Sequence, residues 1–179
     1  MSDEVEAKTF DLADVLAGRT FPTTTVKVSF DEERMFQLSK LDAGIAAQPH
    51  NEELEKLREK FMDEFKPLFY TVHLKGVDRD TRREVLNAVL AEFPEETDFL
   101  GRPKPNPEGD EAYANKTWAL FVEKLERPDG AITTFTETEA KLFRGHAPDV
   151  AINAVEAAIK ELSDGAKSGY ESAVQDLDF

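Results

Sequence analysis

The sequence predicts an α+β protein that is mainly helical, with two antiparallel strands bridged by a helical hairpin and followed by a mostly helical C-terminal lobe. Three observations carry this. Two strand-like runs, 23–30 and 68–75, flank a segment whose apolar residues recur at three-to-four spacing. The second half carries several helical stripes, one of them rich in alanine. The chain has 179 residues, of which 40% are hydrophobic and thirteen are Phe, enough for a sizeable core.

Residues 1–9 are acidic and small and cannot bury enough surface to offset ordering entropy, so a flexible tail is expected. From Phe10 to Gly18 the spacing predicts a two-turn amphipathic helix. Asp11 caps it, Leu12, Val15 and Leu16 share a face with Phe10 beside them, and Gly18 ends it. So short a helix is unstable alone, and its apolar face docks either on the chain's own core or on a partner.

In 23–30, Val26, Val28 and Phe30 alternate with polar neighbours, the period of a half-buried strand. Asp31, Glu32 and Glu33 then open a helix carrying Met35, Leu38, Leu41 and Ile45, with acids where the helix dipole favours them. Gln48–Asn51 breaks it. Asn51 caps a second helix with Leu54, Leu57, Phe61 and Phe65 on one stripe, and Pro67 stops it. The strand at 68–75 ends at Gly76, and the intervening hairpin returns the chain so that this strand pairs antiparallel with the first.

Asp78 is placed to cap a third helix with Thr81, Val85, Leu86, Val89, Leu90 and Phe93 inward and Arg79, Arg82 and Arg83 outward. Those arginines form the one dense basic patch, read as a solvated face or as a site for an acidic partner or phosphate. Four prolines and two glycines between 94 and 110 mark a linker. Phe99 and Leu100 inside it either pin the loop to the core or form an exposed contact. Domain limits follow: an acidic tail at 1–9, an α/β lobe at 10–93, the linker at 94–110 and a helical lobe at 111–179.

In that second lobe, Ala114, Trp118, Phe121, Val122 and Leu125 read as one helical stripe, and Pro128-Asp129-Gly130 as a turn. A short strand is expected at 131–135. Thr136 and Glu139 match a capping box for a short helix reaching about Arg144. Pro148 opens an alanine-rich helix that Ser163-Asp164-Gly165 is expected to end, leaving a weaker segment that closes in Leu177, Asp178 and Phe179.

Composition restricts the function. Twenty-two Lys and Arg stand against 37 Asp and Glu, a net charge of −15 with pI near 4.6, which repels phosphate backbones and anionic lipid surfaces. Neither nucleic acid nor membrane is expected as a partner. With no Cys there is neither a disulfide framework nor a thiolate nucleophile. The opening residues lack a basic segment followed by an apolar run, so the chain reads as soluble and unexported.

His50, His73 and His146 stand outside any metal-binding spacing, and the phosphate-cradling and nucleophile-elbow motifs are missing. Adjacent acids such as Glu52-Glu53 and Glu95-Glu96 read as solubilising charge, because acid and base roles separate only where burial drives pKa values apart. The expectation is therefore no catalytic residue, no metal, no cofactor and no enzymatic activity.

The order of Thr25–Glu33 (TVKVSFDEE), an acidic helical hairpin, Tyr70–Val77 (YTVHLKGV), a Leu/Val helix, Phe121–Gly130 (FVEKLERPDG) and Ser172–Phe179 (SAVQDLDF) resembles the tail assembly chaperones of long-tailed (siphovirus-type) phages of actinobacteria. The resemblance spans roughly residues 10–179. It implies a non-enzymatic factor in the host cytoplasm that binds the tape measure protein, aids polymerisation of the tail-tube protein around it, and is left out of the mature virion. Within it, the expected protein-binding residues are Phe10, Leu12, Val15 and Leu16 on the short helix and Leu177 and Phe179 on the tail. Self-association stays open. Two other readings stand beside it: a structural head–tail or tail accessory protein of the virion, and a host-directed inhibitor or enzyme with a cryptic site.

Overall fold

A computed structural model describes residues 20–175, with side chains described to residue 164. The expected tail at 1–9, the short helix at 10–18 and the closing residues 176–179 lie outside the described residues. The rest is a four-stranded antiparallel sheet with six α-helices, in agreement with the α+β, mainly helical class.

Strand β1 spans Thr23–Val28 and pairs in register with β2, Tyr70–Lys75, so that Val26 faces Val72 and Thr25 faces His73. Between them run α1, Glu32–Ala47, and α2, Glu52–Phe65, the expected helical hairpin. Its caps are those the sequence marks: Asp31 accepts from Arg34 N at 2.9 Å, and Asn51 from Glu53 N and Leu54 N at 3.2 Å. The hairpin packs chiefly on itself and on the 3₁₀ turn Lys66–Leu68 rather than on the sheet. It stands out as an arm. At 16 and 14 residues its helices extend about 24 and 21 Å from the ~1.5 Å rise per residue. Two helices alone cannot bury a shared face completely: no α1 residue is buried, and in α2 only Phe65 is. Phe65 anchors the root, its ring 5.6 Å from Phe61 and 4.7 Å from Phe69.

Helix α3, Arg79–Glu92, is capped by Asp78, which accepts from Thr81 N at 2.8 Å. Of its expected inward face only Val89 is buried, and Leu86 and Leu90 remain exposed, because α3 packs chiefly on the helix that follows it. Arg79 and Arg83 point outward as expected, but Arg82 is half-buried and its Nε has no partner among the described residues.

Helix α4, Pro107–Phe121, starts inside the expected linker, with Asn106 as cap and Pro107 at its first position. It ends earlier than the sequence stripe indicates. At Val122 the chain turns directly into strand β3, Val122–Glu126, and a turn leads to β4, Ile132–Thr134. β3 lies beside β2, giving the order β1-β2-β3-β4. Pairing is His73 with Lys124 and then Leu74 with Val122, so Glu123 is a bulged extra residue. The bulge puts both Val122 and Leu125 on the side of Leu74 and Val72. The sheet is thus larger than the two-stranded pairing expected: β4 is the short strand anticipated at 131–135, now joined to that pair through β3, which was read as the end of a helix.

Helix α5, Glu137–His146, carries the anticipated capping box between Thr136 and Glu139. Helix α6, Asp149–Gln175, runs through Gly165 instead of ending there. A single glycine costs a helix about 1 kcal/mol, which a 27-residue helix with an apolar face absorbs.

One core joins both halves. Val28, Val72 and Leu74 of the sheet pack with Trp118 and Phe121 of α4, Val122 of β3, Ala140 and Phe143 of α5, and Ala151, Val155, Ala158 and Ile159 of α6. The lobes drawn on either side of 94–110 therefore share one sheet and one hydrophobic interior. Composition marks the loop, but strand pairing across it cannot be read from composition.

Candidate functional site

The six expected contact residues, Phe10, Leu12, Val15, Leu16, Leu177 and Phe179, lie outside the described residues, so the structure brings none of them together. The surfaces that can be built up from residues are four.

The first is the sheet face away from the helices. Alternation places Thr25, Lys27, Thr71, His73, Lys124, Glu126 and Thr134 there. His73 Nε2 lies 2.8 Å from Glu126 Oε2, and Lys75 Nζ lies 3.3 Å from Glu123 Oε1. His73 faces outward within this cross-strand pair. This is the polar, solvated face ordinary for an antiparallel sheet covered on one side.

The second is a groove of about 420 Å³ where the arm meets the body, between Met35, Phe69, Val150 and Ala154, with Lys27, Glu32 and Asp149 at its border. The third is a smaller groove of about 280 Å³, floored by Phe30, Leu125, Phe135 and Phe143 and walled by Leu142. Its floor belongs to an aromatic cluster in which Phe30 meets Tyr70 edge-on at 4.8 Å and Phe143 at 5.5 Å, and Phe143 meets Trp118 at 5.5 Å. Leu142 is 55% exposed and Phe30 38%, so the cluster opens to solvent on this side.

The fourth surface is the 95–104 loop. The sequence left Phe99 and Leu100 either packed or exposed. They are exposed, at 93% and 62%. Hydrogen bonds close the loop on itself. Asp98 N donates to Arg102 O at 2.8 Å, Gly101 N to Asp98 O at 3.0 Å and Lys104 N to Glu96 O at 2.8 Å. The Asp98 carboxylate accepts from Leu100 N, Arg102 N and Arg102 Nε at 2.8, 3.0 and 2.8 Å. These bonds, led by those from Arg102, hold its pKa below the usual carboxylate range. Gly101 takes φ +76°, a backbone few side-chain-bearing residues adopt, and Thr97 bridges Pro103. The result is a small closed finger with two apolar side chains at its tip.

Among the described residues there is no group of three or more His, Cys, Asp or Glu placed to hold a metal ion, and no helix is long and apolar enough to cross a membrane. Large apolar side chains are exposed at Phe36 and Leu57 on the arm, at Phe99 and Leu100 on the finger, and at Leu142 beside a groove. No protein-family model, curated protein or solved structure matches the chain.

Proposed function

We propose that this chain is a non-enzymatic assembly factor, a tail assembly chaperone of a long-tailed phage, which acts in the host cytoplasm, binds the tape measure protein and aids tail-tube polymerisation without entering the mature virion. The observation that supports a contact role is the placement of large uncovered apolar side chains, Phe36, Leu57, Phe99 and Leu100, on elements that project from the body. Such side chains are the usual anchors of protein contacts. The class of partner comes from the resemblance in the order of its sequence segments.

The charge fits the role. A tape measure protein is a long, helix-rich chain with much apolar surface, and a holder carrying fifteen surplus negative charges keeps a coated chain repelling its neighbours. An amphipathic helix such as the one expected at 10–18 suits docking of this kind, because its apolar face fits a groove between helices.

Co-expression with the tape measure protein encoded beside it tests the proposal. Wild type is expected to raise the soluble yield of tape measure and to co-purify with it, and Leu12→Asp with Val15→Asp to abolish co-purification. Equal insolubility of tape measure with and without the wild-type chain would refute the role.

A further inference from the structure

We propose that residues 10–18 of this chain dock on its own helix α3, covering an exposed stripe made of Arg79, Arg83, Leu86 and Leu90. The inference does not rest on the tape-measure reading; under that reading the segment leaves α3 before it holds a partner.

The stripe combines two uncovered leucines with two unpaired positive charges. At about 100° per residue, positions 79, 83, 86 and 90 fall within a sector of about 60° on α3. Leu86 is 40% exposed and Leu90 37%, while Val89 on the neighbouring side is buried. The Arg79 and Arg83 side chains are exposed and have no ion pair or hydrogen bond among the described residues. Asp80 and Glu84, the acids next to them in sequence, each stand about 100° away round the helix.

The segment is the complement of this stripe. Leu12, Val15 and Leu16 share a face at helical spacing, and so short a helix persists only when such a face is covered. Residues 1–18 carry Asp3, Glu4, Glu6, Asp11 and Asp14 against Lys8 alone, opposite in sign to the two arginines. A net charge of −15 disfavours a second copy as the occupant, because whole chains repel one another.

The path of the chain brings segment and stripe together. Gly76 N donates to Pro22 O at 2.7 Å, and a Cβ on Gly76 would lie 2.9 Å from Pro22 Cδ, so the chain entering β1 is pressed against the approach to the Asp78 cap of α3. Residue 18 is four positions before Pro22, a reach of at most about 14 Å. From Arg79, Leu86 stands about 10 Å and Leu90 about 16 Å along α3, and nine residues of helix cover about 13 Å. A helix running back from residue 18 therefore spans the stripe. So short a tether gives a local concentration on the order of millimolar, and a contact too small to hold a separate molecule suffices.

Paramagnetic relaxation in the full chain tests this. The protein has no Cys, so Ala13→Cys, on the side of the expected helix away from Leu12, Val15 and Leu16, provides a single site for a nitroxide. The amide signals of residues 83–90 should be attenuated relative to the same chain with the label reduced. Leu86→Asp with Leu90→Asp should restore them, and Arg79→Glu with Arg83→Glu should weaken the attenuation. All four residues are exposed, so circular dichroism should stay as in wild type; if the leucine variant loses that signal, Leu86→Ser with Leu90→Ser replaces it. Four results would each overturn the proposal. The first is an α3 without attenuation, as expected of a segment that docks elsewhere or only on another protein. The second and third are attenuation unchanged by the leucine substitutions, or by the arginine substitutions. The fourth is attenuation of isotope-labelled chains by nitroxide carried on separate chains, which would make a second copy the occupant.

Discussion

Phe121→Ala is the substitution that tests whether the two sides of the 94–110 loop are one folding unit. Phe121 closes α4 at 1% exposure and packs in the cluster that also holds Val28, Val72 and Leu74 from the other side. Removing a buried phenyl ring costs about 3–5 kcal/mol through lost transfer energy and the cavity left behind. Against a total stability of roughly 5–15 kcal/mol this is a large share. For a chain of this size each kcal/mol moves the melting temperature by about 2–4 °C, so a fall of roughly 6–20 °C is expected. Melting followed at 222 nm gives the shift, and amide hydrogen exchange resolved along the chain tells where it is felt. If the core is shared, protection falls together in β1, β2, α4 and α6. Unchanged protection of Thr23–Val28 and Tyr70–Lys75, with loss confined to residues beyond 110, would refute the reasoning.

Two further outcomes follow from single contacts. The Asp98 pKa is depressed, so its hold on the finger is complete above the ordinary carboxylate range and is lost as pH falls through the lowered value. The amide resonances of Leu100 and Arg102 should therefore titrate together with a midpoint below that of an ordinary aspartate, and Asp98→Asn should abolish the titration; an ordinary midpoint contradicts the bonding described. Asn115, 8% exposed, accepts from Arg144 Nη1 at 2.7 Å, and Arg144 Nε is buried without a partner among the described residues. Asn115→Leu should cost about 1.5–3 kcal/mol by urea unfolding, since it strands more of a half-buried charge; a loss under about 0.5 kcal/mol would show that water serves Arg144 as well as the amide does.

Much of the fold was legible because local signals coincide with it. Asp31, Asn51, Asp78 and Thr136 each cap the helix they announce, and Val26 and Val28 alternate as a strand should. β3 was not legible, for a physical reason. Its bulge at Glu123 turns Val122 and Leu125, three residues apart, onto one face, which imitates helical spacing, and no Gly or Pro separates α4 from it. Gly165 misled in the opposite sense, since a breaker inside a long packed helix is tolerated. That one sheet draws strands from both sides of the 94–110 loop was not legible either, because the pairing of Leu74 with Val122 is a long-range contact with no local mark. Of the contact surface, the sequence named Phe99 and Leu100 but could not choose their environment, which depends on the hydrogen bonds Asp98 makes across the loop. Leu142 and Phe30 gave no sign, since a groove between a helix and a strand end exists only after folding.

Light scattering after dilution of urea-unfolded tape measure protein, with and without this chain, tests the central claim of a holding role most directly. The account predicts that scattering falls in proportion to added chain and vanishes near a fixed ratio of the two proteins. Undiminished scattering at a large excess of folded chain would contradict it.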